Sequence, residues 1–177
     1  MRAEANAAKM RKLMEQLGLR SRGPGRVYLT GGATAVLEGW RASSVDVDLK
    51  LDPEPEGAFD VIAALKDELD LNIELAAPDQ FIPALQGWRE RSRYIGTWGK
   101  VDFFHYDPYS QALAKIERGH TRDLADAREL VRRNMVDLAE LEQRFAEIRP
   151  ELKRYPAIDA GAFESKVSQF VAAERKP

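Results

Sequence analysis

From Val45 to Leu51 the chain alternates apolar and charged residues without a break, as Val-Asp-Val-Asp-Leu-Lys-Leu. A period of two belongs to a β-strand with one buried face, so Val45, Val47, Leu49 and Leu51 share one side while Asp46, Asp48 and Lys50 share the other. The fold must then contain a sheet with a core under one face and carboxylates on the opposite face. A second β-type run, Val27 to Thr30, ends at Gly31-Gly32 after the turn-rich stretch Ser21-Arg22-Gly23-Pro24-Gly25.

Helical spacing surrounds these strands. Met10, Leu13, Met14 and Leu17 fall at i, i+3, i+4 and i+7 of a helix over 5–18, with Lys9, Arg11 and Lys12 outward and Gly18 as its stop. Residues 33–40 read as a short helix. After Pro53 and Pro55 the pattern predicts a helix over 59–69, with Phe59, Ile62, Ala63, Leu65 and Leu69 mostly to one side, and a strand over 72–76. The stretch 78–91 is ambiguous between helix and irregular structure, and 94–98 with 101–106 form a hairpin across Gly99-Lys100. Beyond Pro108 everything reads as helix: 109–118, then from Thr121 as N-cap to about 133, then 136–148 and about 159–173. The prediction is an α/β (α+β) fold. A small mixed sheet with flanking helices occupies 1–107, and a helical C-terminal region expected to pack on it occupies 108–177.

Composition narrows the chemistry. A chain of 177 residues suits one compact core with a helical extension. The absence of cysteine removes disulfides, thiolate zinc sites and iron–sulfur clusters, and two well-separated histidines argue against a multi-histidine metal site, so any metal would be held mainly by oxygen. Apolar runs such as Val61 to Leu65 fall far short of the ~20 residues that cross a bilayer, and the N-terminus lacks the apolar core of a signal peptide. The expectation is a cytoplasmic protein without a membrane partner. The net charge of −2 hides an asymmetry, with twelve acids against three bases in residues 27–85 and seven bases against two acids in residues 1–26.

An acidic block is usually just a solvated surface, and so are two strand acids by themselves. Asp46 and Asp48 have a more specific context. Gly31-Gly32 ends the preceding strand, and Asp102 sits between apolar residues of a later one. Carboxylates at i and i+2 of a strand can grip a hard cation such as Mg²⁺ or Mn²⁺. Paired glycines between a strand and a helix let backbone N–H groups approach a phosphate. Together these features point to phosphate chemistry with a nucleoside triphosphate clamped between metal and backbone. Thr34 and Ser44 stand near enough in sequence to touch phosphate, and are equally at home as a helix-start residue and a turn residue. His105, His120 and the three tryptophans read as structural. The cluster Arg89, Arg91, Arg93 and Lys100, interleaved with aromatics, has the composition of a nucleic-acid contact, although short basic runs are usually solvated.

The pieces Leu29-Thr30-Gly31-Gly32, Ser44-Val45-Asp46-Val47-Asp48-Leu49 and Val101-Asp102-Phe103 resemble the signature of the polymerase-β type nucleotidyltransferase superfamily. A second stretch, Ala114-Lys115-Ile116-Glu117-Arg118-Gly119-His120-Thr121-Arg122-Asp123-Leu124-Ala125-Asp126, is similar to the lysine and Arg-Asp-x-x-Asp segment of bacterial nucleotidyltransferase-like toxins related to AbiEii and MenT. The resemblance implies transfer of a nucleoside monophosphate from a triphosphate to an acceptor hydroxyl. Asp46 and Asp48 would hold the metal, Asp102 would complete the metal site or help activate the acceptor hydroxyl, Gly31 and Gly32 would seat the phosphates, Lys115 would bind phosphate, and Asp123 and Asp126 would support or join the active site. It also implies a place in a toxin–antitoxin or phage-defence system, with RNA such as a tRNA end as the first acceptor, a protein hydroxyl next and a small molecule such as an antibiotic third. The alternative is an antitoxin of the same fold that acts by binding a cognate toxin. Read by itself, the Arg122 and Asp126 pair is an ordinary i, i+4 helix contact.

Overall fold

A computed structural model describes residues 2–177. Its elements in chain order are β1 (Ala5–Asn6), α1 (Ala7–Arg20), β2 (Gly25–Thr30), α2 (Gly32–Glu38), β3 (Ser43–Ser44), β4 (Asp46–Leu51), α3 (Ala58–Glu68), β5 (Asn72–Leu75), α4 (Trp88–Arg91), β6 (Arg93–Trp98), β7 (Val101–His105), α5 (Pro108–Arg118), α6 (Thr121–Arg132), α7 (Leu138–Ile148) and α8 (Ala160–Arg175). The fold is mixed α/β, of the α+β kind. Two compact units are present, one of residues 1–77 with 92–106 and the other of residues 78–91 with 107–177.

The first unit is built on a five-stranded sheet ordered β5-β4-β2-β7-β6, in which β2 runs antiparallel to β4 and parallel to β7. The alternation in β4 acts as its period requires. Val47 and Leu49 join Val27, Leu29, Ile73, Val101 and Phe103 in a buried cluster with Met10, Leu13, Met14 and Leu17 of α1 and Ile62 and Leu65 of α3. Asp46, Asp48 and Lys50 lie half-buried on the other face. Two outer positions depart from the sequence reading. Val45 precedes β4 and is half exposed, because Ser43–Ser44 leaves the strand to pair antiparallel with Ala5–Asn6, and Phe59 points outward from α3. Gly18 does not stop α1. The helix continues to Arg20 with Gly18 buried inside it, where a Cβ would stand 2.5 Å from the carbonyl oxygen of Trp98. Glycine there serves close packing of α1 on the hairpin.

The second unit is helical. Helix α5 packs against α6, α7 and α8, and the rings of Phe145 and Phe163 meet edge to face at 4.8 Å. Asp107 begins α5 as its N-cap and accepts from the N–H groups of Tyr109 and Ser110. The same carboxylate takes a two-pronged contact from Arg91 at 3.1 and 2.8 Å. That pair ties 78–91, ambiguous in sequence and expected within 1–107, to the helical unit. Thr121 is the first residue of α6, and the cap position falls to His120, whose side chain makes no capping bond. No helix among the described residues is long and apolar enough to cross a membrane.

Candidate functional site

Strand β2 delivers the chain to a glycine turn. Gly31 takes φ 63° and ψ −130°, a conformation that side chains oppose. Gly32 begins α2, and a Cβ on it would stand 2.1 Å from Ser44 Oγ and 3.3 Å from a guanidinium nitrogen of Arg41. Both glycines are dictated by geometry, the first by its backbone angle and the second by space.

Asp48 faces this turn. It lies opposite Thr30 in the antiparallel register, and its Oδ2 is 3.2 Å from where a Cβ of Gly31 would be. Asp46, two residues earlier, shares the same face at a Cα separation of roughly 7 Å. Its Oδ1 accepts a short hydrogen bond from Asn72, its partner on β5, and Asn72 also donates to Glu74 at 3.3 Å. Ser44 is buried, and its hydroxyl donates to the carbonyl of Asp46 at 2.9 Å. The turn, Asp46, Asp48, Ser44 and Arg41 therefore form one constellation.

Asp102 does not join it. Its cross-strand neighbour is Arg26, and Arg26 exchanges backbone bonds with Asp52 and Pro53 at the far end of β4. Asp48 is level with Thr30, four residues away, which is about 13 Å along a strand. Asp102 instead accepts a 2.5 Å bond from Thr97 within the hairpin. Among the described residues no cluster of three or more His, Cys, Asp or Glu comes together to hold a metal. Thr34 packs toward β7 instead. It is buried at 1% exposure, with Oγ1 3.0 Å from Nδ1 of His105.

The remaining residues expected at the site belong to the helical unit. Lys115 of α5 is buried, and its Nζ lies 2.8 Å from Oδ2 of the buried Asp126 of α6. Asp123, in the first turn of α6, takes two bonds from Arg118 at 2.8 and 2.5 Å. Burial raises the Asp123 carboxyl, but the Arg118 contact and the charges of Lys115 and His120 outweigh it and hold the group below its ordinary value. Asp123 is thus a charged, doubly bonded anchor.

A family model described as a nucleotidyltransferase of unknown function (DUF6036) matches residues 8–173, nearly the whole chain. The chain belongs to this nucleotidyltransferase family. No curated protein and no solved structure matches it. In this nucleotidyltransferase family member, two residues near the glycine turn, Arg41 and Asn72, carry no sequence signal for the site, and a third, His105, has a contact the sequence does not show. Arg41 comes from the loop after α2, and nothing in its local sequence marks it. Asn72 is visible only through the parallel pairing of β4 with β5. His105 reads as a structural residue, and its ring is in contact with the helix that the glycine pair begins.

Proposed function

We propose that the first unit binds a nucleoside triphosphate with Mg²⁺ or Mn²⁺ and transfers its nucleoside monophosphate to an acceptor hydroxyl, releasing pyrophosphate. The observation that carries this reading is the approach of Asp48 to the Gly31–Gly32 turn, with Asp46 on the same strand face. Two half-buried carboxylates fit a hard cation, whose other positions would go to water and phosphate oxygens. Asp46 and Asp48 would hold it. The chemistry such an ion would supply there is neutralisation of the charge on the triphosphate and on the departing pyrophosphate.

The chain's own residues supply position. Asn72 fixes Asp46 through its amide, and Ser44 fixes the backbone just before β4. Gly31 lets the turn approach Asp48 and Gly32 leaves room for Ser44, and Arg41 beside Gly32 adds a fork of donors suited to phosphate oxygens. In the transfer itself, the acceptor oxygen bonds to the α-phosphorus as the bond to pyrophosphate breaks, and the hydroxyl proton passes to water. Asp102 has no part in this step.

The acceptor we propose is RNA such as a tRNA end, within a toxin–antitoxin or phage-defence system. Its support is the likeness of residues 114–126 to the toxin segment. Lys115 and Asp126 form a buried ion pair in that segment, so their proposed contribution is to hold α5 against α6.

Isothermal titration with each nucleoside triphosphate, with and without Mg²⁺, tests the site. Wild type should bind in a Mg²⁺-dependent manner, and the Asp46→Ala, Asp48→Ala double variant should lose that dependence while keeping its circular dichroism and melting temperature. The fold survives because removing two like charges from one strand face relieves repulsion. Unchanged affinity in the double variant would sink the assignment.

A further inference from the structure

Thr34 and Glu38 are four residues apart on α2 and so rise from the same side of the helix. His105 of β7 meets both. Its Nδ1 lies 3.0 Å from Thr34 Oγ1, and its Nε2 lies 3.3 Å from Glu38 Oε1. The ring arrives from the strand next to β2, where His105 is the register partner of Leu29, two residues before Gly31. One imidazole therefore touches both ends of the short helix that the glycine pair begins.

The chemistry of the partners fixes how the ring is used. A neutral imidazole has one donor and one acceptor nitrogen, and a carboxylate only accepts. The carboxylate 3.3 Å from Nε2 favours the tautomer with its hydrogen on that nitrogen, which leaves Nδ1 to accept from the Thr34 hydroxyl. Thr34 has a second acceptor in the carbonyl of Leu29, but at 3.5 Å that contact is at the limit of a hydrogen bond. The charged groups beside the ring include Glu38 and Arg93, the latter 3.6 Å from Glu38, and Arg11 lines the same cavity. Glu38 favours a protonated ring, whereas burial and the positive charge of Arg93 oppose it and prevail.

We infer that His105 is a positioning residue, a neutral staple between β7 and α2 that holds the Gly31–Gly32 turn in the shape that receives phosphate. The inference rests on the reading of that turn as the nucleotide site. It gives the buried hydroxyl of Thr34 a role other than phosphate contact, since Thr34 grips the staple from inside.

Three variants separate the two ends of the ring. His105→Leu removes both polar contacts while filling the space, His105→Asn keeps an acceptor near Nδ1, and His105→Gln keeps a donor near Nε2. Hydrogen exchange of the amides of 32–36 and Mg²⁺-dependent triphosphate affinity are measured well below each melting temperature. The leucine variant should exchange faster and bind about tenfold more weakly, the size of one buried hydrogen bond. The asparagine variant should recover most of both and the glutamine variant little, because the Thr34 end lies nearer the turn. A bystander histidine that only adds stability would lower melting temperatures without this split. In wild type, ¹⁵N spectra should show His105 hydrogenated on Nε2. Hydrogen on Nδ1, or unchanged exchange and affinity in the leucine variant, would overturn the staple. A wild-type chain that binds no triphosphate would overturn the site reading instead, with exchange and ring spectra still deciding whether α2 is stapled.

Discussion

Gly32 is hemmed in most tightly by Ser44, and that makes its requirement testable. An alanine there would drive a methyl group into Ser44, whose Oγ and Cβ would lie at 2.1 and 2.8 Å. Gly32→Ala should destabilise the protein by about 1–3 kcal/mol, as overpacking does, and adding Ser44→Gly should restore part of it. Chemical denaturation of the single and double variants measures the coupling, and simple additivity would contradict the geometry. Gly31→Ala has no such rescue, since its cost lies in the backbone angle. His105 gives a pH signature. Its pKa is lowered to about 4 from an ordinary 6.5 by burial and by Arg93. The unfolded chain takes up a proton that the folded chain refuses, so this contribution to stability is complete above about pH 6.5 and is lost as pH falls toward 4. The loss attributable to it is up to roughly 3 kcal/mol. Unfolding curves of wild type and His105→Asn should therefore converge as pH drops through this window, and parallel curves would contradict a neutral buried ring. The glycine pair was legible in sequence because a single residue type carried the signal. The staple was not, since Thr34, Glu38 and His105 lie far apart along the chain.

Between helices, the decisive contact is Lys115 with Asp126. Both are buried, with side-chain exposures of 7% and 2%, and they join α5 to α6 at 2.8 Å. Removing one partner of such a pair leaves an uncompensated buried charge, so Lys115→Ala should cost about 3–5 kcal/mol. Lys115→Met with Asp126→Leu should cost much less, and thermal melts of both variants check this. A stable Lys115→Ala protein with lost triphosphate binding would instead return Lys115 to phosphate contact. For the strands, the period-two pattern of β4 was enough to predict which face each residue takes, and Asp102 does share the face of Asp46 and Asp48. Alternation carries no register. Asp102 pairs with Arg26 rather than near Thr30 because of how β7 aligns on β2, a long-range choice that its own sequence does not encode. Gly18 misled for a related reason, since the contact that requires a glycine inside α1 comes from Trp98, eighty residues away.

The two compact units divide the candidate residues between them. The sheet unit carries the glycine turn, Asp46 and Asp48, and the helical unit carries Lys115, Asp123 and Asp126. Periodicity and caps made the α+β class readable, and the motif order made the nucleotidyltransferase family readable. The acceptor was not readable, because specificity of that kind depends on surfaces assembled from distant segments. Transfer is therefore the property to measure directly. The purified protein is incubated with each α-labelled nucleoside triphosphate, Mg²⁺ or Mn²⁺, and total bacterial RNA or lysate, alongside Asp48→Asn, which keeps the size of the side chain and removes its charge. Label on RNA with wild type and none with the variant is the predicted result. Label that appears equally with both, or triphosphate bound by wild type without transfer to any acceptor, would contradict the transferase assignment.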